Sequence, residues 1–207
     1  MITGKFLTTQ PPLPFGWVSS TLKNALETHV IGKKNILEIG SFVGKSTCIV
    51  ASQIRKLNLD CEFDTIDLHF LNKEEFISFY TNLYKKDFTD CYDSMLDEAK
   101  FFYRSGTETH LRKHLEERGL SKYVNVLKGN FQSNKTIQSK KYDLIFCDVS
   151  HDAEEIMING YEILKLSNDN AVLIFDDINE QEQIKSLYKV FQFKYFEHVE
   201  NCVIAKI

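Results

Sequence analysis

The 207-residue chain lacks any surplus of positive charge: 25 lysines and arginines stand against 29 aspartates and glutamates, for a formal net charge of -4. Binding to a phosphate backbone leaves a basic footprint, and no block of Lys or Arg supplies one here, so nucleic acid is excluded as the main partner. No run approaches the roughly 18 apolar residues that a membrane span needs, and the start "MITGKFLTTQPPLPFGW" has no apolar signal-peptide core. The expectation is a cytoplasmic protein without a membrane partner. CxxC pairs are also missing. Cys48, Cys61, Cys91, Cys147 and Cys202 are odd in number and widely spaced, which argues against a disulfide framework or a zinc site. Cys147, inside an apolar run, reads as a small core residue. Internal repeats and low-complexity segments are absent.

What is present is a soluble composition, 43% hydrophobic and 26% charged, at a length that suits one domain over 1–207. Short apolar segments without polar alternation recur: "NILEIG" (35–40), "EFDTID" (62–67), "YVNVLKG" (123–129), "YDLIFCD" (142–148) and "AVLIFDD" (171–177). Strands apolar on both faces belong to a parallel sheet covered by helices. Between them "STCIVASQIRKL", "THLRKHLEERGL" and "EEIMINGYEILKL" carry helical spacing, with Gly119 placed to end the second. The expected fold is a doubly wound α/β domain with a mostly parallel sheet, in which "FQFKYFEH" and "NCVIAKI" form an antiparallel edge hairpin. An N-terminal helical extension covers 1–32. From Asp67 to Tyr123 the chain is far longer than the dozen or so residues of a helical crossover. About 68–105 is therefore an insertion rich in Phe and Tyr, serving as a packed amphipathic helix, a lid or an oligomer contact.

"GSFVGKST" (40–47) looks at first like a phosphate loop. That motif, GxxxxGK[ST], needs its first glycine where Ile39 stands, and a cradle of backbone N–H groups cannot drop a residue and keep its shape. The dinucleotide fingerprint GxGxxG also fails, because residue 42 is Phe. Glu38, at the end of the apolar strand, would repel a triphosphate and attract a cationic ligand. Further carboxylates stand at strand ends: Asp67 after the second strand, Asp148 after the fourth, and Asp176 with Asp177 after the fifth. In a parallel sheet the last three converge in one crevice, where a hard divalent cation with oxygen ligands, magnesium above all, relieves their repulsion. The competing readings are that Asp148 caps the helix beginning near His151, and that Asp176 or Asp177 caps one near Asn179. "VLIFDD" is also similar to a Walker B strand, which keeps a P-loop-like NTPase as an alternative. His110 and His114, four apart on a charged helix, lack a third metal ligand.

Glu38-x-Gly40-x-x-x-Gly44-x-Ser46 after a buried strand resembles the first motif of the class I S-adenosylmethionine-dependent methyltransferases, with their seven-stranded Rossmann-like fold. The resemblance implies that Gly40, Ser41, Gly44 and Ser46 approach the methionine part of the cofactor, with Glu38 near its ammonium group. Asp67 would bond the ribose hydroxyls, and Asn130, with Phe131 and Gln132 after it in "VLKGNFQ", would meet the adenine, with Asp148 beside the cofactor. The later acids resemble those of metal-dependent O-methyltransferases of the catechol and macrocin types, which implies magnesium on Asp148, Asp176 and Asp177. "DVSHDAEEI" is similar to the Asp-x-x-His stretch of small methyltransferases and sets His151 where catechol enzymes carry a catalytic lysine. A histidine there can take a hydroxyl proton near neutral pH. The implied activity is magnesium-dependent O-methylation of a small-molecule hydroxyl, with Asp148 and His151 catalytic; a binding module that has lost the chemistry is the other alternative.

Overall fold

The computed structural model describes residues 11–84 and 106–207. Its elements are α1 (Ser20–His29), β1 (Asn35–Ile39), α2 (Lys45–Leu57), β2 (Glu62–Asp67), α3 (Lys73–Tyr84), α4 (Thr107–Glu117), β3 (Asn125–Lys128), α5 (Lys135–Gln138), β4 (Tyr142–Cys147), α6 (Ala153–Leu166), β5 (Ser167–Phe175), α7 (Gln181–Val190), β6 (Tyr195–Val199) and β7 (Cys202–Lys206). One seven-stranded sheet runs in the order β3-β2-β1-β4-β5-β7-β6. Strands β1 to β5 are parallel, β7 is antiparallel to β5, and β6 pairs antiparallel with β7. The expected doubly wound sheet and edge hairpin are both there.

Two apolar layers hold the sheet. Because side chains alternate along a strand, Ile36, Leu144, Phe146 and Ile174 pack with Leu22, Ile54 and Leu111 on the α1, α2 and α4 side. Leu37, Ile39, Ile145 and Leu173 pack with Ile163 and Leu187 on the α6 and α7 side. Each fully buried Leu or Ile of these layers contributes about 1.5–3 kcal/mol.

Local chemistry sets the helix ends. Ser19 caps α1 by accepting from Leu22 N–H at 3.0 Å, and Asp152 caps α6 by accepting from Glu154 and Glu155 N–H, both at 2.9 Å. Gly119 closes α4 as expected: at φ 62° its N–H bonds Glu116 O at 2.9 Å, while Leu120 N–H reaches back to Leu115 O at 2.7 Å.

Two expectations need adjustment. Within the expected N-terminal helical extension only Ser20–His29 is helical among the described residues; 11–19 are irregular, with Pro12 O accepting from Arg118 and residues 15–19 forming a strap along the cavity at the carboxyl ends of the strands. Within the insertion, α3 provides the helix expected around Phe76 and Phe79, while residues 85–105 lie outside the described part.

Candidate active site

The strand order reverses between β1 and β4, whose connections lead to opposite faces of the sheet. Ligands of open α/β sheets bind in the crevice that this reversal leaves at the carboxyl ends. A cavity of about 1080 Å³ lies there.

At one end of the cavity the wall is built from backbone and one carboxylate. Gly40 has φ 94°, and a Cβ on it would stand 2.5 Å from Asp148 O and 2.7 Å from Val149 Cγ1, so only glycine lets the β1 and β4 loops approach this closely. Asp67 Oδ2 accepts from Phe42 N–H at 2.8 Å and Asp67 Oδ1 from His69 N–H at 2.9 Å. Phe42 and His69 both have left-handed backbone, at φ 47° and 55°. A bulky residue pays about 1 kcal/mol or more for such a conformation, and one carboxylate restrains both turns. Beyond Asp67 the wall continues through Asn130, Phe131 and Gln132. Gln132 Nε2 donates to Asn159 Oδ1 at 2.9 Å, and Asn159 Nδ2 donates to Ser150 Oγ at 2.9 Å, which ties the β3 loop to α6.

Of the residues expected to hold a cofactor, Gly40, Ser41, Ser46, Asp67, Asn130, Phe131 and Asp148 line this cavity. Glu38 and Gly44 do not. Glu38 shares the face of Ile36 and turns toward α2; its Oε2 accepts from Thr47 Oγ1 of α2 at 2.5 Å and from Thr65 Oγ1 of β2 at 2.6 Å. Its Oε1 is buried without a partner, and burial raises its pKa against the hydrogen bonds of Ser46, Thr47 and Thr65. Glu38 thus braces the glycine loop from behind. Gly44 begins α2 at φ 94°, and a Cβ there would stand 2.2 Å from Leu111 Cδ1, so it allows α4 to pack. Lys45 completes the contrast with a phosphate loop: its Nζ donates to Gly16 O at 2.6 Å and pins the strap. The strap in turn sets Trp17 over Phe42, with centroids 6.3 Å apart and planes at 27°.

The other end is acidic. Asp148, Asp176, Asp177 and His151 all line the same cavity. Neither capping alternative holds, because Asp152 caps α6 and Glu180 is the cap residue of α7. One ligand atom each from Asp148, His151 and Asp177 lies within 4.8 Å of the others. Asp176, the third acid expected from sequence, lines the same cavity but falls outside that group, and His151 falls inside it. Asp176 is 7% exposed, and its Oδ1 has no hydrogen-bond partner. Desolvation, then the charges of Asp176 and Asp177, push the Asp148 carboxyl well above its usual range. Burial likewise pushes Asp176 up to about 6, with Asp177 adding repulsion and its backbone N–H opposing the rise. Clustered carboxylates, an imidazole and an orphaned buried oxygen make a donor set that fits a divalent cation.

Sequence reasoning missed the residue that assembles this end. Gln183, 2% exposed, accepts through Oε1 from Asn179 and Glu180 N–H, both at 2.7 Å. Its Nε2 donates to His151 O at 3.2 Å and Asp177 O at 3.0 Å, clamping the β4 and β5 loops together. Asp177 needs that clamp, since it sits at φ 59°; Asn201 Nδ2 adds a bond to its Oδ1 at 3.2 Å. The signal available was the Glu180-x-x-Gln183 spacing at the start of a helix. Cys147 is inert as expected, with its thiol pushed up to about 12 by burial. Among the described residues His110 and His114 join no group of potential metal ligands.

Comparison with known proteins agrees with this geometry. The search of curated proteins returned no match. Solved structures of similar fold include an O-methyltransferase from Bacillus cereus in complex with SAH, at 18% identity and TM-score 0.57, covering 94% of this chain and 84% of that one. A SAM-dependent O-methyltransferase from Thermotoga maritima is similar at 12% identity and TM-score 0.60, over 93% of this chain and 66% of that one. A ribosomal protein L11 methylase from Lactobacillus delbrueckii is similar at 13% identity and TM-score 0.58, over 94% and 80%. A family model described as a methyltransferase domain matches residues 37–178, from β1 through the acidic pair after β5. With the strand order, the Gly40 turn and Asp67 at its side, that match settles the family: the chain belongs to the methyltransferase domain family.

Proposed function

We propose that this methyltransferase transfers the methyl group of S-adenosylmethionine to a hydroxyl of a small molecule, assisted by a divalent cation such as magnesium. The observation that carries this reading is the single cavity joining the Gly40, Asp67 and Asn130 wall to the Asp148, His151 and Asp177 cluster. Its volume of about 1080 Å³ is ample for a nucleoside-sized cofactor with a small acceptor beside it, since pockets for drug-sized ligands span roughly 300–1,000 Å³. Among the solved structures of this fold, one carries SAH, which supports the choice of cofactor.

In this mechanism the cofactor supplies an electrophilic methyl group, and the cation supplies the positive field that acidifies the acceptor hydroxyl. The chain's own residues do the rest. Gly40 lets the β1 loop come close to the methionine part, Asp67 holds the ribose and Asn130 with Phe131 the adenine. Asp148, Asp176 and Asp177 would hold the cation, and His151 on the same wall would take the proton that the acceptor hydroxyl loses as its oxygen gains the methyl group. Asp148 sits between the two ends, beside both the Gly40 turn and the acids, and so brings the acceptor oxygen next to the cofactor; orientation supplies much of the rate. The buried Asp148 and Asp176 carboxyls would resist a second negative charge on the acceptor, and the cation offsets them.

The P-loop-like NTPase is not favoured, because Lys45 is engaged with Gly16 O rather than free to meet a phosphate. Calorimetry with S-adenosylmethionine, and separately with ATP, tests the reading: micromolar cofactor binding with no measurable ATP binding is expected. Tight ATP binding without cofactor binding would sink it.

A further inference from the structure

We propose that the outer face of α6 is the contact of a two-fold symmetric dimer, in which a second copy of this chain lays its own α6 antiparallel on the first. Four residues of that helix, Glu154, Ile158, Tyr161 and Lys165, are exposed and stand four, three and four positions apart. At 3.6 residues per turn this spacing aligns them in one stripe. Its centre is apolar, with Ile158 54% and Tyr161 48% exposed, and its ends carry opposite charges. The side chains that fix α6 to the sheet, Ile156, Ile163 and Leu166, lie on the buried side. The stripe is therefore a second apolar face, flanked by exposed Leu164, that the fold itself leaves uncovered. Single exposed apolar residues are ordinary, but a contiguous patch rimmed by charge marks a contact surface.

The order of residues along the stripe says what covers it. Glu154 and Lys165 stand equally far from the midpoint between Asn159 and Gly160, and so do Ile158 and Tyr161. A two-fold axis through that midpoint sets Glu154 against the second copy's Lys165 and Ile158 against its Tyr161, with each contact made twice, as an isologous interface requires. Parallel helices would instead oppose glutamate to glutamate and lysine to lysine, which like-charge repulsion disfavours. Spacing by fours and threes is also the pattern with which helices interlock at a shallow crossing angle. Lys165 holds Glu162 one turn back at 2.7 Å while its side chain is 67% exposed; a surface pair of that kind contributes little and leaves the lysine available to a new partner. Beside the stripe, a groove between α6 and α7, lined by Ala153, Met157, Tyr161, Ser186 and Lys189, gives the seated helix a second wall. Ile158 borders both this groove and the large cavity, so a seated copy would also reach the cavity rim.

One helix face and its groove are small beside the roughly 1,200–2,000 Å² of a tight complex, which sets the dimer in the micromolar range. Sedimentation of the full chain without ligands, from about 1 µM to a few hundred µM, should show the 24.1 kDa chain moving toward twice that mass. Tyr161→Asp places a charge at the centre of the contact and should weaken association by about 100-fold. Glu154→Lys and Lys165→Glu each set like charges together twice, and each should weaken it by about tenfold. Combined, they exchange the two ends of every pair and should return the affinity to within about threefold of wild type. All three positions are exposed, and a melting curve read beside the mass shows that each variant keeps its fold. The native charges suit their helix ends, so a small drop in melting temperature accompanies the exchange without bearing on association. A wild type that stays at 24.1 kDa throughout overturns the proposal. So does a dimer indifferent to Tyr161→Asp, whose contact must lie elsewhere. A double variant no tighter than either single one refutes the antiparallel register.

Discussion

The two ends of the cavity are built on opposite principles. At the Gly40 and Asp67 end the backbone is fixed by hydrogen bonds of the chain itself, since Asp67 engages both its oxygens and the Gly40 N–H bonds Ile66 O at 2.9 Å, although Ser41 Oγ and Glu38 Oε1 are buried there without partners. At the acidic end, charges of one sign are crowded together, Asp176 Oδ1 has no donor, and Asp177 is held in left-handed backbone by a neighbouring amide. A preformed wall recognises a ligand by shape, whereas a strained, under-neutralised one stores a demand for positive charge. On the proposed reading, that difference would let one pocket hold a cofactor steadily and still receive a cation.

The sharpest way to break the contrast is to remove the residue on which the preformed end depends. Asp67→Ala deletes the expected ribose partner and releases the two left-handed turns at Phe42 and His69. Hydrogen bonds to charged groups are worth about 1.5–3 kcal/mol each, so cofactor affinity should fall by about 100-fold or more. Calorimetry with S-adenosylmethionine measures it. Asp67→Asn keeps an acceptor oxygen and should fall between the two; an unchanged affinity in Asp67→Ala would show that this end is not the cofactor end.

How far each end could be read from the amino-acid sequence follows the same division. Strands such as "YDLIFCD" announce themselves because both faces are apolar, and their carboxyl ends then place Asp67, Asp148, Asp176 and Asp177 around one crevice. Gly40 was legible because a turn between a strand and a helix demands it. The direction of Glu38 was also contained in its own strand: Ile36 and Glu38 share a face, so Oε2 meets Thr47 on α2, while Oε1 is left without a partner. The Asp148-x-x-His151 spacing placed His151 near the acids, but its approach to Asp177 depends on how the β4 and β5 loops pack. Gln183 and the strap were not legible, since each acts through contacts between segments far apart in sequence, and only the capping-box spacing of Gln183 left a local trace.

Gln183 offers the next test, aimed at the acidic end. Gln183→Leu keeps the volume of the buried side chain while leaving His151 O and Asp177 O without their donor. Unsatisfied buried groups cost about 1–3 kcal/mol, so a stability loss of that order is expected in denaturant unfolding. Affinity for a divalent ion should fall about tenfold, as for other residues that orient ligands, while affinity for S-adenosylmethionine stays within about twofold. Equal damage to both affinities would mean that the two ends are one mechanical unit and the contrast is false.

The smallest effect is the most specific, because it reads the burial of one carboxylate, with the charge of Asp177 added to it. Asp176 binds its proton more tightly folded than unfolded, with a folded value of about 6 against an ordinary 3.8. The native state therefore holds the extra proton, and stability declines as pH rises from about 4 to about 6. Asp176→Asn cannot ionise, so in metal-free protein it should flatten that decline and raise the melting temperature at pH 7 by a few degrees, about 2–4 °C for each kcal/mol at this chain length. Added Mg²⁺ should stabilise the wild type more than the variant, since a cation would offset the buried negative charge. If the pH slope persists in Asp176→Asn, the excess charge resides on Asp148, whose carboxyl is also raised by burial and by Asp176 and Asp177, and Asp148→Asn should then remove it.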